Sequence, residues 1–236
     1  MNSWVGTSGW QYPEWKGKFY PETMSPAKML TFYSGVFNST EVNYTFRSIP
    51  SAKTIQRWGD ETPADFRHSL KAPQRITHFA KLKDCTEVVK TFRTAVKGLG
   101  KKLGPVLFQL PETFKADEAV LREFVGTLPK GLRAAFEFRH ESWLSDNIYD
   151  ILSKKNVALC IAESDEFETP KVVTADFGYL RIRREDYTAR QLKKWAKFVG
   201  DQAGKWKDTF AYFKHEETCV GPGFAQTFMK ALKKGG

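Results

Sequence analysis

Short apolar runs alternate with amphipathic stretches from one end of the chain to the other, and this alternation limits the possible folds more than any other feature. Apolar runs of strand length lie at 4–8, 39–43, 66–71, 105–110, 134–138, 157–162, 178–183 and 210–214. Between them, helical patterns occupy 26–35, 51–60, 84–97, 117–127, 146–154, 189–200 and 225–233. In 84–97, the residues Val88, Val89, Phe92, Ala95 and Val96 fall on one helical face. Proline and glycine punctuate the joins, as at Pro50, Pro63, Gly104, Pro129 and Gly131. Strict alternation of this kind predicts a single-domain TIM (β/α)8 barrel spanning 1–236. Between strands six and seven only about fourteen residues remain, marginal for a helix and two loops, so that helix is expected to be missing. A doubly wound sheet is the alternative. It needs a nucleotide-type glycine turn after strand one, and Gly6-Thr7-Ser8-Gly9 does not supply it.

The chain's 236 residues suit one such barrel, and a 41% hydrophobic content is enough to build its core. No apolar run approaches the roughly 18 residues of a membrane helix. The first residues lack a basic segment followed by an apolar stretch, so a cytoplasmic protein with no membrane partner is expected. Cys85, Cys160 and Cys219 form no CxxC pair, and the four histidines form neither HxH nor HExxH. No metal site and no cofactor are therefore expected. A Gly-x-Ser-x-Gly nucleophile elbow is also missing. The formal net charge is +10. From Arg181 onward, thirteen Lys/Arg oppose six Asp/Glu, so +7 of that excess falls in the last quarter. Such a face either attracts anions, nucleic acid among them, or is a solvated lysine surface.

In a barrel of this type, chemistry sits at the carboxyl ends of the strands. Those ends are unusually polar here. Strand two ends in Glu41-Val-Asn43-Tyr44, strand three in Lys71, and strand four carries Gln109. Strand five reads Glu137-Phe-Arg139, strand seven Arg181-Ile-Arg183, and strand eight Lys214-His215. Residues two apart share a face, which pairs Glu41 with Asn43, Glu137 with Arg139 and Arg181 with Arg183. Charges at the ends of buried strands are costly unless they are paired or functional. They form either a ligand site or a salt-bridge network that plugs the barrel mouth.

Two loops extend this picture. After strand eight, Cys219-Val-Gly221-Pro-Gly223 leads into a helix, the place where barrels often hold a phosphate. Gly221 and Gly223 are the candidate phosphate-binding positions, and an ordinary turn is the alternative. The first loop, 9–26, carries Trp10, Tyr12, Trp15, Phe19 and Tyr20. These rings either stack on a ligand, Trp10 being the candidate, or anchor the loop on the barrel rim.

The same residues carry a family resemblance. Gly6-Thr-Ser-Gly-Trp10, Trp15…Phe19-Tyr-Pro21, Glu41-Val-Asn-Tyr-Thr-Phe46 and Lys71-Ala-Pro…Ile76-Thr-His78 resemble the domain of unknown function 72 (YecE-like) family. Phe136-Glu-Phe-Arg-His140 with Ser142-Trp143, and Tyr179-Leu-Arg181, continue the match over nearly the whole chain. The resemblance implies a TIM barrel and carries no established activity. Many members read Arg-x-His-Gly at strand seven and Phe-Asn-Asn at strand eight. This chain instead has Arg181-Ile-Arg183-Arg184 and Phe213-Lys-His-Glu216, which add charge, most of it positive.

Three functional expectations follow. The first is an enzyme on a small anionic, phosphorylated substrate. Glu41 and Glu137 would be its acid/base pair. Lys71, Arg139, Arg181, Arg183 and Lys214 would hold the anion, Asn43, Tyr44 and Gln109 would orient it, and His215 is a further substrate-binding candidate. The second is a nucleic-acid-binding or processing protein that uses the basic last quarter, with Lys193 and Lys197 among its contacts. The third is a barrel without catalysis whose mouth is a stability network.

Overall fold

A computed structural model describes residues 1–214 and 217–234. Eight parallel strands run in the order β1-β8-β7-β6-β5-β4-β3-β2. They are β1 (Asn2–Thr7), β2 (Ser39–Val42), β3 (Arg67–Lys71), β4 (Leu103–Gln109), β5 (Ala134–Glu137), β6 (Ala158–Glu163), β7 (Phe177–Ile182) and β8 (Asp208–Phe213). The seam between β1 and β2 closes at their carboxyl ends, where Ser8 bridges to Glu41 and the Gly9 N–H donates to the Glu41 carbonyl at 2.8 Å. The result is a TIM-like barrel, and each strand expected from the sequence is present to within two residues. Gly6 permits the close approach at the seam: a Cβ there would lie 1.8 Å from the Ser39 carbonyl oxygen.

The helices are α1 (Met29–Ser34), α2 (Tyr44–Arg47), α3 (Ala52–Asp60), α4 (Thr86–Val96), α5 (Glu118–Thr127), α6 (Asp146–Ser153), α7 (Ala189–Gly200) and α8 (Val220–Lys234). Local chemistry starts several of them. The Asp117 carboxylate caps α5 through the Val120 N–H at 3.1 Å, and Thr188 with Gln191 forms a capping box on α7. Between β6 and β7 the chain forms no helix, as its length requires. The short α2 and a π-helical turn at Arg75–Phe79 go beyond the sequence-based expectation. Both are too short to show a periodic apolar face.

Alternation along the strands divides the buried side chains into two cores. Facing outward, residues such as Val106, Phe108, Phe136, Leu180 and Phe213 pack against the helices. Facing inward, Leu107, Ala135, Cys160, Tyr179, Phe210 and Tyr212 fill the barrel. The inward residues of β5 and β6 are mostly small: Ala135, Ala158, Cys160 and Ala162. That leaves room for the long Arg181 side chain reaching in from β7.

The first-loop aromatics mostly anchor. Trp15 and Tyr20 are buried, and Phe19 packs on Phe32 and Phe37 with ring centroids 5.7 and 5.8 Å apart. One expectation is corrected here. Gly221 and Gly223 do not lie in a loop before the last helix, because α8 already begins at Val220. Gly221 is buried where the first turn of α8 meets β8, and a Cβ there would lie 3.1 Å from the Lys214 carbonyl oxygen. Close packing accounts for that glycine. Gly223 is exposed.

Candidate functional site

Parallel pairing gathers the last inward residues of β2, β4, β5 and β7 at the carboxyl end of the barrel. Gln109 registers with Glu137, and Arg181 with Ala162 and Tyr212. Arg181, only 3% exposed, spans the mouth. Its Nη2 donates to Glu41 Oε1 at 2.8 Å and its Nη1 to Glu137 Oε2 at 2.5 Å. Every oxygen of the two carboxylates is engaged. Glu41 Oε1 also accepts from Ser8 Oγ at 2.6 Å, and Oε2 accepts from the Tyr179 hydroxyl at 2.6 Å. Glu137 Oε2 accepts from Gln109 Nε2 at 2.9 Å. Glu137 Oε1 accepts from Arg183 Nη2 at 3.1 Å and lies 3.3 Å from Arg139 Nε.

This arrangement sets the charge states. Burial alone would raise the Glu137 carboxyl, but the Arg181, Arg183 and Arg139 guanidiniums and the Gln109 amide hold it well below the usual carboxylate range. Burial disfavours charge on Arg181, and Glu137 and Glu41 more than restore it. Burial and the neighbouring Glu41 keep the Tyr179 phenol protonated. For Arg183, burial outweighs the pull of Glu137 and lowers its basicity.

Above this layer opens a cavity of about 730 Å³. Arg139, Arg183 and Lys214 line it, and so do five glutamates, among them Glu112 at 3.6 Å from Arg139. The turn before α8 contributes Glu217 and Thr218 to this lining, whereas Gly221 and Gly223 take no part in it. A second cavity, about 360 Å³, lies at the ends of β1 and β2. It is lined by Trp10, Tyr12, Asn43, Tyr44, Arg57 and Trp58, so Trp10, Asn43 and Tyr44 gather there rather than beside Glu137. Asn43 Nδ2 donates to Ser8 Oγ at 3.0 Å and links this cavity to the Glu41 cluster.

Most of the expected site residues thus meet at one end of the barrel. Glu41 and Asn43 meet through Ser8, and Glu137, Gln109, Arg139, Arg181 and Arg183 form one network. Lys71 ends β3 at the same mouth, its ammonium 4.1 Å above the Phe46 ring. His215 lies outside the described residues. Ser8 and Tyr179 were not anticipated. Tyr179 had a signal, because it lies two residues before Arg181 on the same strand face. Lys193 and Lys197 lie exposed on α7, and Lys197 pairs with Asp201 at 2.8 Å. Among the described residues, no group of three His, Cys, Asp or Glu could hold a metal ion. No helix is long and apolar enough to cross a membrane.

Fold and mouth together define a TIM-like barrel closed at its carboxyl end by a buried guanidinium–carboxylate cluster. The sequence pattern described as "Protein of unknown function DUF72" matches residues 4–236, and the chain belongs to that family. It is 30% identical over 143 residues to the UPF0759 protein YecE of Escherichia coli, covering 60% of this chain and 50% of that protein. It is 30% identical over 159 residues to the UPF0759 protein YunF of Bacillus subtilis, covering 62% and 54%. These matches span about half the length of the curated relatives. A DUF72 family protein of Thermotoga maritima superposes with a TM-score of 0.89 at 26% identity, covering 99% of this chain and 100% of that one. One from Enterococcus faecalis gives a TM-score of 0.80 at 18% identity, covering 98% and 95%, a likeness of fold.

Proposed function

We propose that the barrel mouth binds a small anionic substrate, phosphorylated or carboxylated, and acts on it as an enzyme. One observation carries the reading. Arg139, Arg181 and Arg183 converge on a single buried carboxylate, Glu137, and two of them continue into the lining of the 730 Å³ cavity beside Lys214. Stacking three guanidiniums around one carboxylate is poor design for stability alone, since like charges repel at close range. An arriving anion completes the balance. Guanidiniums locked by a buried carboxylate are also pre-aimed, which suits bidentate recognition of phosphate or carboxylate.

Within this reading Glu137 serves as the anchor of the arginines. A carboxyl held so far below its usual range stays ionised near neutrality and is a poor proton donor. Glu41 and Tyr179, joined by a 2.6 Å hydrogen bond, form the second polar pair of the mouth. The glutamates that share the cavity lining argue for a small ligand. A long polyanion would meet Glu112, Glu141 and Glu217, while a compact anion can reach Arg183 and Lys214.

The test is a thermal-shift titration with inorganic phosphate, phosphorylated metabolites and short oligonucleotides, at low and moderate salt. Small phosphates are expected to raise the Tm in a manner that survives moderate salt, and Arg183→Ala is expected to remove that rise. A rise seen with oligonucleotides alone, lost with salt and with Lys193→Ala and Lys197→Ala, would instead establish the nucleic-acid reading.

A further inference from the structure

At the end of the barrel opposite the mouth lies another cavity, about 390 Å³. Its wall includes Asn2, Arg67, Leu103 and Asp208, the first residues of β1, β3, β4 and β8, so it opens at the amino ends of the strands. Arg93 from the last turn of α4, Lys101 from the turn before β4, and Arg133 just ahead of β5 supply the other charges of the wall. Four basic side chains thus stand against one carboxylate, a net of +3. The mouth cavity differs, since three basic groups there share the lining with five glutamates.

The one carboxylate already has partners. Asp208 Oδ1 accepts from Asn2 Nδ2 at 2.9 Å, and Oδ2 pairs with Arg133 Nη2 at 2.5 Å. Among the described residues, Arg67, Arg93 and Lys101 make no salt bridge. Arg67 and Arg93 are half-buried, so water screens them only in part. Ring faces orient two of the guanidiniums. Arg67 Cζ lies 4.2 Å from the Trp4 ring centroid, and Arg133 Cζ lies 5.4 Å from that of Phe177. Gly100 and Gly131 complete the wall, and a Cβ on either would meet nothing within 4 Å, so the space is open beside them.

We propose that this basal cavity is a second binding site, for a compact polyanion built from adjacent phosphoryl groups, as in pyrophosphate or the diphosphate of a nucleotide. It is separate from the mouth and does not rest on the reading given above for it. Pyrophosphate carries a charge of about −3 near neutrality, which balances the +3 of the wall. Arginine forks suit phosphoryl oxygens, and the three unpaired cations come from β3, α4 and the turn before β4, around a single space. The volume falls at the lower end of the roughly 300–1,000 Å³ typical of small-ligand cavities, which favours a compact ligand. The charge balance on Arg67 agrees. Burial lowers this guanidinium from its ordinary value, Asp208 and Asp65 oppose the shift, and Arg133 adds to it.

The experiment is isothermal titration of the full chain with pyrophosphate, inorganic phosphate, ADP and adenosine at pH 7 and moderate salt. The variants are Arg183→Ala, the basal pair Arg93→Glu with Lys101→Glu, and the α7 pair Lys193→Glu with Lys197→Glu. The two pairs change the net charge equally, but only the first lines the cavity. Pyrophosphate and ADP are expected to bind alike, about tenfold or more tighter than phosphate, and adenosine is expected not to bind. The basal pair should weaken pyrophosphate by at least about tenfold, and the α7 pair by no more than about twofold. Arg183→Ala should leave this site unchanged. Thermal melting checks that each variant folds. If the basal pair does not, the exposed Lys101→Glu alone should still weaken binding more than Lys193→Glu does. Equal weakening by the two pairs overturns the proposal, as does binding of ADP without pyrophosphate. Pyrophosphate binding that is lost with Arg183→Ala and kept in the basal pair also overturns it, while supporting the mouth reading. Absence of any pyrophosphate binding overturns it and leaves the mouth to be judged by its own titration.

Discussion

Arg181→Met removes the cation that joins the two buried carboxylates, and the structure says which of them suffers. Glu137 keeps Arg183, Arg139 and Gln109. Glu41 keeps the Ser8 and Tyr179 hydroxyls but loses its only salt bridge among the described residues, at 0% exposure. Breaking a buried ion pair on one side costs about 3–5 kcal/mol, because a desolvated charge is left uncompensated. For a chain of 236 residues each kcal/mol moves the Tm by ~2–4 °C, so a fall of roughly 6–20 °C is expected. The assay is thermal and urea unfolding at pH 7 of wild type, Arg181→Met, Glu41→Gln and the double variant. Adding Glu41→Gln to Arg181→Met removes the orphaned charge and should recover at least half of the loss. If Arg181→Met lies within about 1 kcal/mol of wild type, or the double variant recovers nothing, the reasoning that ties Arg181 to Glu41 is refuted.

Two further predictions concern stability. Because the Glu137 carboxyl lies lower in the folded chain than its ordinary 4.5, its stabilising contribution is complete above that pH and is lost as pH falls toward the folded value. Glu137→Gln should therefore lower stability at pH 7 and flatten the acid limb of the stability–pH curve measured by urea unfolding from pH 7 to 3; an unchanged acid limb would contradict this. Gly6→Ala drives a Cβ to within 1.8 Å of the Ser39 carbonyl and should cost at least ~3 kcal/mol by opening the seam. Gly126→Ala on α5 meets nothing within 4 Å and should leave the Tm unchanged or slightly higher, so equal Tm values for the two variants would refute the account of the seam.

The fold was legible because its signal is local and repeated. A buried parallel strand needs a short apolar run, a helix needs the 3.6-residue pattern, and both recur along the chain. The helix lost between β6 and β7 could be read from loop length alone. The start of α8 could not, because Val220-Gly-Pro-Gly looks like a turn, yet the helix begins at Val220 with Gly221 buried close to the Lys214 carbonyl. The candidate site was legible as a list of polar strand ends; Arg139, Arg181 and Arg183 do meet at Glu137, whereas Asn43, paired with Glu41 by the same i, i+2 spacing, lines the second cavity.

What only the tertiary structure decided is who meets whom. Arg181 and Glu41 are 140 residues apart in sequence, and only barrel closure and register bring them to 2.8 Å. The same closure determines which groups lose their protons and which lose their partners. It brings three guanidiniums onto Glu137 and holds that carboxylate ionised, and it buries Lys71 near Arg181, which lowers the Lys71 ammonium. Residue types and their spacing set which charges reach the mouth. Their pairing and protonation depend on distance and burial, which exist only once the eight strands have closed.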